Sequence, residues 1–510
     1  MKRVIKIIAL TALCSTASAE TQVEFLPFSI PDSGRIVIAA TEGDSLSGVA
    51  AELNNRLDGA LSVAATESGF KGEANTTVTL YGVGPYSRID LVGIGAAPVD
   101  RVMAEDFGGT AAATLAGVTG GSVQILWAPN AEDATGTAAQ VAFGYKLRSY
   151  NFDRHKSSRT DPGTLPTVQL LSDDGSGPTY QNDLAHLADG VYLARNMSSE
   201  PANLVWPQEF VDRAKAEFRG IDNVSIKVLD EKDMQRLGMG AHWGVGKGSS
   251  RPPRLLIIEY MGGGDEAPIV LAGKGITFDT GGISLKDNDK MWMMKGDLGG
   301  AGVVTGTVLA AARRAAKVNV VALAALAENM PSGSATRPGD VLTSMSGITI
   351  EILSTDAEGR LVLSDAVYYG QVTYEPPVLI DVATLTGSIG RALGDEYAGI
   401  FGRHDELIEQ IAAASEAAGE AVWRLPLDDS HFKQIESSYG DIKNSGAGSP
   451  GASAGAAFIG SFVDEEQVWA HLDIAGVDYY EEDRPTTPKG YSGFGVRTLD
   501  EYLRRHHEQQ

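Results

Sequence analysis

A chain of 510 residues, 43% hydrophobic and 21% charged, has the apolar mass for a packed core and exceeds one ordinary domain, so two domains are expected. Its 42 Lys and Arg stand against 66 Asp and Glu, a formal net charge of −24. That balance argues against a general nucleic-acid or membrane-surface binder, because both need basic patches, and leaves small-molecule and peptide chemistry open.

The N-terminus reads as a targeting segment. Lys2, Arg3 and Lys6 precede a short apolar run from Ile7 to Leu13, and Ala17-Ser18-Ala19 forms a small-x-small cleavage pattern before Glu20. Residues 1–19 are therefore expected to be a signal peptide, which sends the chain to the periplasm or outside the cell; the cytoplasm is the alternative. The apolar run is too short for an ordinary membrane-spanning helix, and no other stretch is long and apolar enough. Cys14, the only cysteine, lies inside this segment, so the cleaved chain has no disulfide. A lipidated Cys14 is disfavoured by Leu13, where a small residue belongs.

A first α/β domain is expected over residues 20–175. Strands are predicted at Arg35–Ala40, Thr76–Tyr81, Arg88–Ile94, Ser122–Trp127 and Thr167–Leu171. Helices are predicted at Ser47–Leu57, Arg101–Ala116 and Ala134–Leu147. This part holds no metal-like cluster and no nucleophile motif. The polar stretches Ser157–Gly163 and Asp173–Pro178 read as connection, and a helix over Leu184–Met197 leads onward.

The larger second domain, residues 176–510, repeats the alternation, which implies a mixed central sheet flanked by helices. Strands are predicted at Val224–Val228, Arg254–Glu259, Ile269–Leu271, Asn319–Ala325, Thr349–Leu353, Val378–Val382 and Trp469–Ile474. The clearest helices are Gly300–Ala316, Leu361–Tyr374 and Glu406–Ala418. Gly446–Gly455 reads as a flexible Gly/Ser/Ala/Pro loop. It contains Gly451-Ala452-Ser453-Ala454-Gly455, a G-x-S-x-G match, but the nucleophile elbow needs a strand immediately before it, and loop residues stand there.

The chemistry concentrates in two clusters. In Ser354-Thr355-Asp356-Ala357-Glu358-Gly359-Arg360-Leu361, two carboxylates stand one residue apart between a predicted strand and a predicted helix. In an extended segment, Asp356 and Glu358 point the same way and can share a hard cation. Arg360 can hold an anion or a developing oxyanion. The second cluster runs from Ala272 to Lys286, read as a Gly-rich loop leaving a strand, and is followed by Asp297. It fails as a P-loop because Gly275 follows Lys274. Lys274, Asp279 and Asp297 are weak alone; joined to Asp356 and Glu358 they would need cations to share one pocket. The eight histidines form no HExxH, so any metal is expected to be held mainly by oxygen, and His471 is read as a core residue.

These residues resemble the leucyl aminopeptidases, two-metal exopeptidases that assemble as hexamers. Ser354–Leu361 is similar to the signature Asn-Thr-Asp-Ala-Glu-Gly-Arg-Leu. Gly273–Asp279, Glu328–Pro331, Arg337–Val341, Asp381–Gly387 and Trp469–Gly476 match further pieces, and the likeness runs from about Leu187 to the C-terminus. The resemblance implies that Lys274, Asp279, Asp297 and Glu358 ligate a tighter metal. Asp279 and Glu358 then bridge to a looser one, which Asp356 completes. Lys286 matches a lysine that stabilises the tetrahedral intermediate, and Arg360 one that holds bicarbonate. Met294 matches a residue of the first side-chain pocket; Thr384, Leu385 and Gly387 match a peptide-contacting segment. Zinc or manganese would serve as the ions, peptides as substrates and a homohexamer as the assembly. Two such ions, roughly 3.5–4 Å apart, can activate one water and polarise the scissile carbonyl. Lysine ligates only as a neutral amine, so Lys274 is expected to have a lowered pKa beside them. Ser354 departs from the signature's Asn, and Trp292 adds bulk near Met294. A DNA-binding architectural protein and an inactive relative are the alternatives; the acidity weighs against the first and the full set of key side chains against the second.

Overall fold

The computed structural model describes residues 23–43, 45–128, 136–158, 165–446 and 451–508. The expected signal segment with Cys14, part of the connection at 157–163 and the first residues of the helix expected from Ala134 lie outside them. Six strands form one sheet: β1 (Val23–Leu26), β2 (Gly34–Ala40), β3 (Thr77–Val83), β4 (Tyr86–Gly93), β5 (Ser122–Leu126) and β6 (Thr167–Leu171), in the order β1-β6-β5-β2-β4-β3. All pairs are parallel except β3 with β4. Parallel neighbours need crossovers. The helices Gly48–Arg56, Ala60–Ser68, Arg101–Thr114 and Thr137–Arg148 lie between these strands. The sequence reading lacks β1, too short to show alternation, and Ala60–Ser68, which follows the preceding helix after three residues.

The second sheet has eight strands: β7 (Val224–Leu229), β8 (Arg254–Met261), β9 (Ile269–Asp279), β10 (Asn319–Asn329), β13 (Leu379–Ala383), β14 (Ala398–Gly402), β15 (Val422–Arg424) and β17 (Trp469–Asp473). Between them in the chain, β11 (Val341–Thr343), β12 (Thr349–Glu351) and β16 (Ile442–Lys443) make a small side sheet, and β18 (Tyr479–Tyr480) pairs with β19 (Gly490–Tyr491). The order of the large sheet is β15-β14-β17-β13-β9-β10-β8-β7, with β17, β13, β9 and β10 mutually parallel.

Both faces of this sheet are covered. Val320, Ala322, Ala324 and Leu326 of β10 share a core with Val303, Val304 and Val308 of the helix Gly299–Arg313. The alternate residues Val321, Leu323, Ala325 and Ala327 share another with Leu361, Val362 and Ala366 of the helix Gly359–Tyr374. Burial on both faces explains why β10 reads as one continuous apolar run. The chain therefore leaves β9 over one face to reach β10, then leaves β10 over the other to reach β13, on the far side of β9. The crossover direction reverses at β9, and the crevice at the strands' carboxyl ends there is where open α/β sheets place ligands.

Three expectations are corrected. β9 does not end at Leu271; it continues to Asp279, and the expected Gly-rich loop is strand as far as that residue. A Cβ on Gly273 would lie 2.4 Å from Gly300 O, and one on Gly275 2.6 Å from Leu326 Cδ2. These glycines permit close approach of neighbours rather than opening a loop. Within β9, Ile276 pairs with Ala327 but Phe278 pairs with Glu328, so Thr277 is an extra residue in the ladder. Strand alternation alone would send Lys274 and Asp279 to opposite faces; the bulge returns them to one. Second, the flexible loop expected through Gly455 gives way at Ala452 to the helix Ala452–Gly460, whose Ala456 and Phe458 are fully buried. Ser453 stands in that helix's first turn; residues 447–450 of the expected loop lie outside the described residues, and among the described residues the strand before Ser453, β16, ends at Lys443, with no strand leading directly into the motif. Third, the acidic pair follows β12 of the side sheet, not a strand of the central sheet. His471 is a buried core residue as expected, its Nδ1 2.6 Å from Asp381 Oδ1.

Candidate active site

Four segments meet at the carboxyl edge of the parallel strands. β9 brings Lys274 and Asp279, the turn after β12 brings Asp356 and Glu358, the 3₁₀ turn Met291–Gly296 leads into Asp297, and the residue after β13 is Thr384. Asp356 and Glu358 do not converge by strand alternation. The segment is a turn, with Glu358 in helical conformation at φ −84, ψ −33, and the turn itself swings both carboxylates inward. Ligand oxygens of Asp279, Asp356 and Glu358 lie within 4.8 Å of one another.

Two lysines neutralise part of this charge. Lys274 Nζ lies 2.7 Å from Asp297 Oδ1 and 3.1 Å from Glu358 Oε1, and donates to Thr384 O at 2.8 Å. Lys286 Nζ lies 2.8 Å from Asp279 Oδ2 and 2.5 Å from Asp356 Oδ1. Burial disfavours the Lys274 ammonium, but Asp297, Glu358 and Asp279 outweigh burial and hold its pKa above the ordinary value. Burial, then the charge of Glu358, pushes Asp279 up to about 6, and burial lifts Asp297 well above the usual carboxylate range.

The donor set fits divalent cations. Four carboxylates face two ammonium groups, and Asp297 Oδ2 and Glu358 Oε2 are buried with no hydrogen-bond partner. Buried polar atoms are almost always satisfied, so two orphaned carboxylate oxygens in one pocket mark places where a cation belongs. The two lysines differ: the Lys274 side chain is buried, whereas that of Lys286 is 24% exposed and can swing away when a cation enters.

Arg360 is buried in the first turn of the helix Gly359–Tyr374, donates to Asn444 O at 3.0 Å, and leaves its Nε unpartnered. Burial lowers its pKa, opposed by Glu358 and Asp473. Leu385 is its neighbour: a Cβ on Gly455 would lie 3.0 Å from Leu385 Cδ2 and 3.5 Å from Arg360 Nη2. Thr384 Oγ1 donates to Asp297 Oδ1 at 2.8 Å, Met294 sits in the 3₁₀ turn before Asp297, and Gly387 opens the helix Gly387–Leu393 just beyond. The structure thus brings Lys274, Asp279, Lys286, Asp297, Asp356, Glu358 and Thr384 into one cluster, with Arg360 and Leu385 next to each other and Met294 and Gly387 on the adjoining segments.

Sequence reasoning missed the residues that hold it in shape. Asn444, fully buried, accepts from Leu353 N at 2.9 Å and donates to Ser354 O at 2.6 Å, clamping the acidic turn. Asn329, at the end of β10, donates to Asp279 Oδ1 at 2.8 Å and to Thr355 O at 3.0 Å. Asp473, at the end of β17, accepts from Leu385 N at 3.0 Å and Thr386 Oγ1 at 2.7 Å. A lone Asn has no periodic signal, and the strand predicted over Asn319–Ala325 stops short of Asn329; only Asp473, near the end of the predicted strand Trp469–Ile474, had a position that pointed here. Ser354 Oγ accepts from Asp356 N at 3.2 Å, so the serine caps the turn locally.

The profile of the cytosol aminopeptidase family, catalytic domain, matches residues 192–500, and that of the family's N-terminal domain matches residues 37–159. A probable cytosol aminopeptidase of Nitrobacter winogradskyi is 40% identical over 96% of this chain and 98% of its own. One from Caulobacter vibrioides is 41% identical over 94% and 98%. Among solved structures, a mutant of tomato leucine aminopeptidase superposes with a TM-score of 0.86 at 31% identity, covering 96% of this chain and 98% of that one. The bottromycin maturation enzyme BotP in complex with Mn gives 0.80 at 29%, covering 93% and 99%. With a cation-demanding carboxylate pocket at the sheet's switch point and both family domains matched in order, the chain belongs to the cytosol aminopeptidase family and is a metal-dependent aminopeptidase.

Proposed function

We propose that this chain removes N-terminal residues from peptides with a water activated between two divalent ions, zinc or manganese, held by Lys274, Asp279, Asp297, Asp356 and Glu358. The observation that carries this reading is the pocket of four carboxylates, of which only Asp356 is exposed, with two orphaned oxygens. Bound there, the ions would supply Lewis acidity and lower the pKa of a water. Asp279 and Glu358, central to the cluster, would be the carboxylates shared by the two ions. Lys286 keeps its charge and turns toward the oxyanion that develops on the scissile carbonyl. Arg360, with a free Nε in a buried setting, holds an anion such as bicarbonate that accepts and returns a proton. Met294, Thr384, Leu385 and Gly387 border the bound peptide. Turnover of an amino-acid p-nitroanilide by metal-loaded protein, absent after chelation, tests the reading.

Ion uptake should displace protons. Lys274 must shed one to ligate, and Asp279, pushed up to about 6, holds a proton at mildly acid pH, with Asp297 shifted in the same direction. Protons compete with the ions, so affinity should rise as pH rises. Calorimetric titration with Mn²⁺ in buffers of different ionisation enthalpy should give release of at least one proton. Heats independent of the buffer would contradict Lys274 as a ligand.

The assembly we propose is a homohexamer, on the family resemblance, and the destination is outside the cytoplasm, on the segment Lys2 to Ala19. Mass spectrometry of cell fractions should find a chain beginning at Glu20. Intact Met1 in the cytoplasmic fraction would overturn the export reading, and a diacylated Cys14 would make the chain a lipoprotein.

A further inference from the structure

Beside the carboxylate cluster stands one acidic residue that the proposed chemistry does not use. Asp478 precedes β18 and is only 7% exposed. Among the described residues, no hydrogen-bond donor and no salt-bridge cation is paired with its carboxylate. Burial raises its pKa to about 7, with the charge of Lys274 pulling the other way. Its position is fixed by its backbone, whose carbonyl accepts from Ser492 N at 2.8 Å. A Cβ built on Gly299 would lie 2.5 Å from Asp478 Oδ1 and 3.3 Å from Thr384 Cγ2, so the carboxylate and the peptide-bordering Thr384 flank the same glycine.

The surface leading outward from Asp478 is aromatic. Tyr491 donates to Met293 O at 2.8 Å, and its ring leaves no room for a side chain at Gly296, so it lies against the turn that carries Met294. Tyr479 meets Tyr491 edge-on at 5.1 Å, and Trp292, 61% exposed, meets Tyr479 edge-on at 6.3 Å. Two cations stand near without pairing with Asp478: Lys295 donates to Ser199 O at 2.8 Å and lies 5.9 Å from the Tyr491 ring centroid, and Lys274 pairs with Asp297 and Glu358. The result is a wall of rings with one carboxylate, held by no hydrogen bond or salt bridge, at its inner end.

A long cationic side chain complements such a slot. Its methylenes cover apolar surface, ring faces attract the charge, and the head pairs with the buried carboxylate. A neutral aliphatic side chain would leave Asp478 desolvated and unpaired. We propose that Asp478 reads the first side chain of the substrate and selects peptides that begin with arginine or lysine. The inference rests on the aminopeptidase reading above and adds the substrate class. Trp292, expected from its bulk to reshape this pocket, forms the outer rim of the same wall.

Arginine and citrulline p-nitroanilides, alike in shape and different in charge, separate charge reading from fit. With the full-length manganese-loaded enzyme, kcat/KM for arginine should exceed that for citrulline by at least about tenfold, mostly through KM. Asp478→Asn should bring the ratio close to one, and Asp478→Glu should restore a preference for arginine. A purely structural Asp478 would lower both substrates alike and leave the ratio unmoved, which overturns the inference. So does a wild-type ratio near one, a measurement that needs no variant to fold. Loss of turnover on every aminoacyl p-nitroanilide, leucine included, would instead bring down the aminopeptidase reading and this inference with it.

Discussion

Glu358→Ala is expected to abolish turnover, lowering kcat/KM by at least roughly 10³-fold, and to strip at least one ion per chain. Glu358 is buried against Lys274 at 3.1 Å, with its second oxygen unpartnered, so it is the carboxylate best placed to bridge two cations. The substitution leaves Asp279, Asp297 and Asp356 in place but removes the group between them. It also removes a carboxylate whose burial is outweighed by Lys274 and Lys286, which hold it below its ordinary pKa, so the metal-free variant should melt lower than metal-free wild type. Added Mn²⁺ should stabilise wild type by mass action and the variant far less. Elemental analysis, melting curves and p-nitroanilide turnover report these effects separately. Full activity at unchanged metal content would falsify the two-metal proposal.

Lys286→Ala should lower kcat by roughly 10²–10³, the size of losing one oxyanion donor, while the ions remain. Lys286 touches Asp279 and Asp356 through salt bridges, yet its side chain is the more exposed of the two lysines. Removing it deletes a positive charge that competes with cations, so ion affinity should hold or increase. Lys274→Ala should do the opposite, since it deletes a ligand. If Lys286→Ala lost its ions while Lys274→Ala kept them, the roles of the two lysines would be exchanged.

The chemistry was legible because ionisable residues at unusual density are visible without a fold. Asp356, Glu358, Lys274, Asp279 and Asp297 stand out in the sequence, and the structure gathers all of them. The reason they gather was less visible. Strand alternation suggested that Asp356 and Glu358 point together, but a turn held by Asn444 does the work, and Asn444 lies some ninety residues away in the chain. Glycine ended β9 too early in the reading, since Gly273 and Gly275 look like loop residues until the helix packed against them is known. Ala452–Gly460 was obscured in the same way, by small residues that serve close packing. Asp478 carries no motif; only burial without a partner sets it apart.

The additional residue at Thr277 makes the site depend on a count. Side chains along a strand obey an even–odd rule, and the bulge resets it once, between the lysine and the aspartate that must act together. A chain that kept all the residues from Lys274 to Asp279 but paired Thr277 in register would retain every charged group and every motif. Its Asp279 would nonetheless turn its back on Lys274, whereas a chain shortened by that one residue would keep the two on one face with no bulge at all. Sequence identity would score the first as intact. An even offset from Lys274 to Asp279, or an odd offset with a bulge between them, is therefore the sharper criterion for recognising a working member of this lineage.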